Sequence, residues 1–150
     1  MEVVAKNLKE TKKLATDFVK KILKAPAKKE ATVVLLEGEL GAGKTAFTKA
    51  VAEALGVKEI VRSPTFIIQK IYKLKNKKYR ELIHIDAYRF EDGREAKILE
   101  LDSLLKNPNN LIVVEWPQNI SSVFPKNAHY LSFVFVDESK RKIKFTRPNF

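Results

Sequence analysis

The apolar positions along the chain recur with two different periods, which predict helices alternating with strands. Residues 8–24 carry apolar side chains at helical spacing with lysines on the opposite face, as in an amphipathic helix. Residues 31–37 form a short apolar run typical of a buried strand. Helical spacing returns over residues 46–55 and stops at Gly56, a residue type that favours the position just after a helix.

The second half of the chain continues this alternation. It predicts strands over 66–74, 79–85, 111–114, 129–136 and 141–146, and a helix over 93–105. Because a short polar turn at 75–78 joins the first two of these strands, we expect them to be antiparallel. The sequence therefore predicts an α/β fold, a three-layer sandwich with a mixed central sheet, in a single domain spanning residues 1–150.

Composition narrows the class of protein. The chain has 150 residues, of which 45% are hydrophobic, enough to fill a normal core. It has no apolar run near the roughly 20 residues that a membrane span requires, and its N-terminus is too polar for a secretory signal. With no cysteine it can form no disulfide. We expect a cytoplasmic protein with no membrane partner.

The chain is strongly basic, with 29 lysines and arginines against 18 acidic residues and a formal charge of +11. Such an excess favours polyanionic partners such as nucleotides, RNA or an acidic protein surface. The lysines are spread widely along the sequence, so a solvated surface remains the alternative to a patch that faces RNA or a partner.

Three of the five glycines lie within residues 38–45, which match the phosphate-binding pattern GxxxxGK[ST] between a predicted strand and a predicted helix. Such a loop turns successive backbone N–H groups toward a polyphosphate, and the following helix aims its positive end at the same group. We expect Lys44 to reach the β- and γ-phosphates and the Thr45 hydroxyl to bind Mg²⁺. The predicted nucleotide-binding residues in this loop are Glu39, Leu40, Gly41, Ala42, Gly43, Lys44, Thr45 and Ala46. The fold expected is therefore that of a P-loop NTPase, although a chance match in a strand–turn–helix connection is the alternative.

Two acidic residues at predicted strand ends are candidates for the other half of the site. Glu115 follows four apolar residues, the position of a Walker B carboxylate, and Asp86 ends another strand. Because ligands lie at the C-terminal ends of strands in open α/β sheets, both can reach one site and act on Mg²⁺ or the attacking water. Trp116 either packs near the nucleotide or fills the core, and His84 is expected to be structural.

The segment after the loop helix, residues 62–66, contains Ser63 and Thr65. Switch loops occur at this place in related nucleotide-binding folds, so both hydroxyls are candidate sensors of the γ-phosphate or Mg²⁺. Ordinary turn chemistry around Pro64 explains the same residues without a ligand.

Four segments together resemble the TsaE (also called YjeE) family, the small P-loop ATPases of bacterial tRNA threonylcarbamoyladenosine biosynthesis. They are residues 38–45, the SPTF motif at 63–66, the HIDAYR motif at 84–89 and the EWPQ motif at 115–118. The loop by itself is generic, but the combination is highly specific and the resemblance covers nearly the whole chain. This sequence departs from the family pattern at Ala46, where the family often has threonine, and at Ala87, where leucine is usual.

The resemblance implies a slow, Mg²⁺-dependent ATPase that works with the proteins TsaB and TsaD. That pair attaches threonylcarbamoyl to N6 of adenosine 37 in tRNAs reading ANN codons; the ATPase supports turnover and does not perform the transfer. By position, Lys44 would contact phosphate, Thr45 and Glu115 would hold Mg²⁺, and Asp86 would serve hydrolysis. Residues 63–66 would act as the switch, Trp116 would lie beside the site, and contact with tRNA would be indirect.

Two other classes of protein remain open. A small-molecule or nucleoside kinase shares the loop but usually carries an arginine-rich lid, for which no compact segment is evident. A nucleotide-dependent RNA-binding module would explain the positive charge, but the sequence lacks an RNP-type aromatic motif. Phosphate release without an acceptor separates the ATPase from the kinase, and tight, salt-dependent RNA binding would favour the third class.

Overall fold

The computed structural model describes residues 1–59, 61, 68–91, 97, 99–120 and 124–146. In this part of the chain, seven strands form one sheet: β1 (Glu2–Ala5), β2 (Thr32–Gly38), β3 (Gln69–Lys73), β4 (Glu81–Asp86), β5 (Asn110–Glu115), β6 (His129–Phe135) and β7 (Arg141–Thr146). The helices are α1 (Leu8–Lys24), α2 (Lys44–Ala54) and α3 (Leu101–Lys106), with a 3-10 turn at Pro117–Asn119.

The sheet is mixed, as predicted. Its strand order is β1-β7-β6-β2-β5-β4-β3. The four central strands, β6, β2, β5 and β4, run parallel to one another, whereas β3 joins β4 antiparallel and β7 joins β6 and β1 antiparallel. The predicted antiparallel pairing across the 75–78 turn is therefore confirmed. The parallel centre brings the C-terminal ends of β2, β4 and β5 to one edge, where the glycine-containing loop of residues 38–45 begins.

Alternating side chains of the central strands divide the core into two clusters, one on each face of the sheet. On β2, Val34 and Leu36 join the cluster that includes buried residues of α1 and α2. Val33 and Leu35 join the opposite cluster, which includes Leu101 of α3. Since successive strand residues point to opposite faces, this division gives the three layers expected from the sequence.

The helix α1 has the predicted bounds, whereas α2 begins at Lys44, two residues before the predicted start, and ends at Ala54. Asn7 caps α1, its side chain accepting a hydrogen bond from the Glu10 backbone N–H at 2.9 Å. Gly56 follows α2 with φ +85°. The Gly56 and Val57 N–H groups donate to the carbonyls of Glu53 and Ala52, each at 3.0 Å. This is a Schellman arrangement, which confirms the predicted role of Gly56.

The predicted secondary structure differs from the structure in two places. The first is β1, a four-residue edge strand that pairs with the distant β7 and was not predicted. The helix predicted over 93–105 is wrong as one continuous element, because Glu100 has a left-handed φ of +53° and α3 begins after it. Leu99, Leu104 and Leu105 nevertheless pack on the same cluster, which explains the misleading periodicity. Residues 92–96 and 98 lie outside the described residues, as do residues 66 and 67 of the strand predicted over 66–74.

Candidate functional site

The loop between β2 and α2 has the backbone conformation that its glycines permit. Gly38, Gly41 and Gly43 have φ values of +150°, +75° and +107°, a region that side chains disfavour. Gly38 is constrained further because β6 runs alongside it. A Cβ at Gly38 would lie 2.5 Å from the Phe133 carbonyl oxygen. Two independent constraints therefore select glycine where the loop leaves the sheet.

Lys44, the first residue of α2, places a buried cation at this loop. The residue is 5% exposed, and its ammonium donates to the carbonyl oxygens of Gly38 at 2.5 Å and Glu39 at 2.8 Å. Burial lowers the pKa of Lys44, while the negative charges of Glu115, Asp86 and Glu39 oppose the shift. An anion bound in the loop would add to that opposing field and favour the charged ammonium further.

Thr45 and Glu115 form the second contact of the site. The Thr45 hydroxyl donates to the two carboxylate oxygens of Glu115 at 3.0 and 3.2 Å. Glu115 ends β5 directly opposite Leu36 of β2, so the sheet register brings this carboxylate beside the start of α2. A hydroxyl and a carboxylate together supply the hard oxygen atoms that Mg²⁺ prefers. The residues present therefore fit a magnesium–nucleotide complex.

Asp86 joins the same edge of the sheet. It ends β4 opposite Glu115 and is 5% exposed. Its carboxylate accepts a hydrogen bond from the Tyr88 N–H at 2.9 Å, which fixes the side chain at the strand end. The structure thus brings Lys44, Thr45, Asp86 and Glu115 together at the carboxyl ends of three neighbouring strands.

Trp116 borders the site through an unusual backbone conformation. Its φ is +59°, and its N–H donates to the Leu36 carbonyl oxygen at 3.2 Å. This turn sets the indole ring 4.5 Å from the Lys44 ammonium and 4.9 Å from the Tyr88 ring centre. A non-glycine residue in the left-handed region costs of order 1–2 kcal/mol, and here it brings an aromatic face onto the lysine.

The other predicted site residues differ in their burial or lie outside the described residues. Ala42 is completely buried and its N–H donates to the Glu39 carbonyl at 3.1 Å, whereas Leu40 is 68% exposed at the loop tip. Ala46 lines a groove described below. Ser63 and Thr65 lie outside the described residues.

Sequence reasoning missed two features of the site. The first is the contact of His84, which was expected only to be structural, with Glu115. The spacing of two residues between His84 and Asp86, which places both on one face of β4, could have indicated it. The second is a groove of about 390 Å³ beside the loop, lined in part by Asn7, Thr11, Gly43 and Arg141. Its walls come from α1, the loop and β7, which no local sequence pattern connects.

Within the described residues, no helix combines the length and apolar character needed to cross a membrane.

Comparisons with known proteins agree with this geometry. The family model described as "Threonylcarbamoyl adenosine biosynthesis protein TsaE" matches residues 5–143. The "tRNA threonylcarbamoyladenosine biosynthesis protein TsaE" of Bacillus subtilis (strain 168) is 39% identical over 140 residues, covering 93% of this chain and 81% of its own. The protein of the same name from Aquifex aeolicus (strain VF5) is 34% identical over 148 residues, covering 97% and 96%.

A solved structure gives the same result. The crystal structure of YdiB from Bacillus subtilis superposes with a TM-score of 0.73 at 32% sequence identity, covering 98% of this chain and 84% of that one. The family model spans most of the chain, and two relatives above 30% identity align along nearly all of it. The chain therefore belongs to the TsaE family, a family of nucleotide-binding proteins with the P-loop fold.

Proposed function

We propose that this protein is an ATP-binding and ATP-hydrolysing accessory subunit of the system that adds threonylcarbamoyl to N6 of adenosine 37 in tRNAs reading ANN codons. The relatives named above carry threonylcarbamoyladenosine biosynthesis in their names. In this proposal the chain works as one cytoplasmic P-loop domain with TsaB and TsaD. It hydrolyses ATP slowly by itself and does not carry out the transfer, and its contact with tRNA is indirect.

One observation carries the assignment of the chemistry. The Thr45 hydroxyl lies 3.0 Å from the Glu115 carboxylate, one residue from the buried Lys44 ammonium at the start of α2. A phosphate loop that only held a structural anion would need no carboxylate at this distance. A nucleoside triphosphate with Mg²⁺ needs the lysine ammonium, the threonine hydroxyl and the carboxylate together.

Each side chain has a distinct role in this proposal. The Lys44 ammonium, which donates to the carbonyls of Gly38 and Glu39 in the loop, would exchange these two partners for phosphate oxygens when the nucleotide binds. Thr45 and Glu115 would hold Mg²⁺, which neutralises phosphate charge when bound. Asp86, at the adjacent strand end, orients the attacking water or accepts its proton. The loop residues from Glu39 to Ala46 bind the phosphates, and Trp116 closes one side of the site.

The groove lined by Asn7, Thr11, Gly43 and Arg141 supports a nucleoside triphosphate over a simple phosphate. It opens directly beside the phosphate loop, and its volume of about 390 Å³ is within the range of small-molecule pockets. We assign it to the base and ribose.

The test measures phosphate release from ATP by the chain alone, and then with TsaB and TsaD added. We expect slow release that the pair stimulates, and we expect Lys44→Ala to abolish both rates because the γ-phosphate loses its main cation. Lys49→Ala is the matched control, since Lys49 is exposed on the same helix and its loss should leave the rates unchanged.

The outcomes separate the alternatives. Hydrolysis retained in Lys44→Ala would contradict the site assignment. Activity indifferent to TsaB and TsaD would leave a generic P-loop enzyme, and phosphate transfer to a small acceptor in place of release would favour a kinase. Tight RNA binding by the isolated chain that weakens steeply with salt would favour an RNA-binding module.

A further inference from the structure

His84 is a buried polar residue that the proposed hydrolysis does not yet use. It lies on β4 two residues before Asp86, so both side chains point to the face of the sheet that α2 covers. His84 is completely buried. Its register partner on β5 is Val113, which makes Glu115 its diagonal neighbour across the strand pair. The sheet itself therefore aims the imidazole at the Glu115 carboxylate.

The contacts of Glu115 form a short chain of hydrogen bonds. His84 Nε2 lies 2.9 Å from Glu115 Oε1, and the Thr45 hydroxyl donates to the same oxygen at 3.0 Å. The carboxylate, with a side chain 4% exposed, is thus held from both sides, by a strand neighbour and by the first turn of α2. A glutamate has three rotatable side-chain bonds, and two fixed partners restrict them to one arrangement.

The surroundings of the imidazole select its tautomer. Nδ1 is buried and has no hydrogen-bond partner among the described residues. A proton on Nδ1 would therefore leave a buried donor unsatisfied and place a lone pair of Nε2 against the carboxylate. The tautomer with its proton on Nε2 avoids both costs and donates to Glu115.

We propose that His84 is a positioning residue, which fixes the Glu115 carboxylate in the orientation that holds Mg²⁺ with Thr45. This inference rests on the proposed nucleotide–magnesium function. It assigns His84 no proton transfer and no contact with the nucleotide. Groups that orient a metal-binding side chain typically contribute 10- to 100-fold to metal affinity, so the effect is large enough to measure.

Three substitutions test this role. His84→Gln keeps an N–H at nearly the distance of Nε2, whereas His84→Asn keeps a buried amide that is one bond too short to reach Glu115. His84→Leu removes the donor at similar size. The matched control is Leu82→Ala, because Leu82 is also completely buried, lies on the same strand and face, and is one step farther from Glu115.

The readout is binding and does not require hydrolysis. Trp116 is the only tryptophan in the sequence and lies 4.5 Å from the Lys44 ammonium, so its fluorescence reports on the loop. ADP is titrated without metal, and Mg²⁺ is then titrated at saturating ADP. We expect His84→Leu and His84→Asn to raise the Mg²⁺ concentration at half-saturation by about tenfold or more, with metal-free ADP affinity nearly unchanged. His84→Gln should stay close to the wild type.

Each contrary result has a distinct meaning. A wild-type chain that binds neither ADP nor Mg²⁺ would overturn the proposed function and the role of His84 with it. A normal wild-type response that is unchanged in both His84→Leu and His84→Asn would overturn the positioning role alone. So would an equal shift in Leu82→Ala, since a general loosening of the core would then explain the effect. If His84→Leu fails to fold, the contrast between His84→Gln and His84→Asn decides.

Discussion

The carboxylate of Glu115 connects three elements of the molecule at the scale of single atoms. It lies at the end of β5, accepts from Thr45 on α2, and contacts His84 on β4. Lys44 lies close enough that the Glu115 charge acts on the pKa of its ammonium. A substitution of Glu115 should therefore affect both the proposed Mg²⁺ site and the pKa of Lys44.

Replacing Glu115 with alanine should weaken the Mg²⁺ dependence of nucleotide binding more than nucleotide affinity itself. In the proposed site the phosphate contacts come from the loop and Lys44, which the substitution leaves in place. Mg²⁺ titrations of ADP binding should show at least about a tenfold loss of metal affinity. Glu53→Ala, which removes an exposed carboxylate of α2, is the control. If both metal response and affinity were untouched, the metal role would pass to Asp86.

His129 gives a prediction about pH. It is 3% exposed on β6, and burial, followed by the positive charge of Lys28, lowers its pKa from 6.5 to about 4. The unfolded chain therefore takes up a proton at a higher pH than the folded protein does. The stabilisation from His129 is complete above about pH 6.5 and is lost as the pH falls toward 4, with a total of about 3 kcal/mol.

Denaturant unfolding at a series of pH values measures this effect. The difference in free energy of unfolding between the wild type and His129→Gln should change by about 3 kcal/mol between pH 6.5 and 4, because glutamine does not titrate there. A difference that stays constant with pH would contradict the shifted pKa of His129.

At the scale of elements, α1 depends on a cap that the sequence places just before its apolar repeat. Asn7 accepts from the Glu10 N–H at 2.9 Å, and the Glu10 carboxylate accepts in return from the Lys6 N–H at 2.7 Å. Two backbone donors at the helix start are thus satisfied by side chains.

Asn7→Ala should lower the free energy of unfolding by about 1 kcal/mol, which corresponds to a melting temperature lower by a few degrees for a chain of this size. Lys13→Ala is the control, because Lys13 is exposed on the same helix and alanine suits a helix interior equally well. Equal melting temperatures for the two variants would show that the cap does not stabilise α1.

The elements that the sequence predicted are those whose signal is local. The 8–24 helix, the phosphate loop and the ends of β4 and β5 each show their pattern within one continuous stretch of 17 residues or fewer. β1 was not predicted because its four residues show only a weak alternation of polar and apolar side chains, and because its partner, Arg141–Lys144, is distant in the sequence. Likewise His84 and Arg141 join the site through sheet register and a distant hairpin, which a linear pattern does not record.

At the scale of the whole molecule, some of the many lysines make contacts that join separate elements of the fold. Several lysines pair with acidic side chains across elements, including Lys12 with Glu53 at 3.1 Å and Lys142 with Glu2 at 3.5 Å. Lys78 in the β3–β4 turn reaches the end of α1, where its ammonium donates to the carbonyls of Ile22 at 2.6 Å and Ala25 at 2.5 Å. This contact fastens the hairpin at the sheet edge to the helical layer.

Lys78→Ala should therefore lower the free energy of unfolding by about 1 kcal/mol, since it removes a charged donor from the unpaired carbonyls at a helix end. Lys77→Ala removes the same charge from the exposed neighbouring position and should be nearly neutral. Chemical denaturation of the two variants makes the comparison. Equal effects would show that only the net charge matters.

The strand order has a consequence for how the protein is made. β2, β5 and β4, whose ends carry the proposed nucleotide site, are complete once residue 115 has been synthesised, whereas β6 and β7 come later. A nascent chain can thus assemble the site while β2 still presents an open edge, the kind of edge that invites wrong pairing. Among the described strands, β1 is the earliest in the sequence and its partner β7 is the latest, so β1 can pair only after Arg141–Lys144 have been synthesised. Of the described strands, the earliest in the sequence is therefore among the last that can join the sheet.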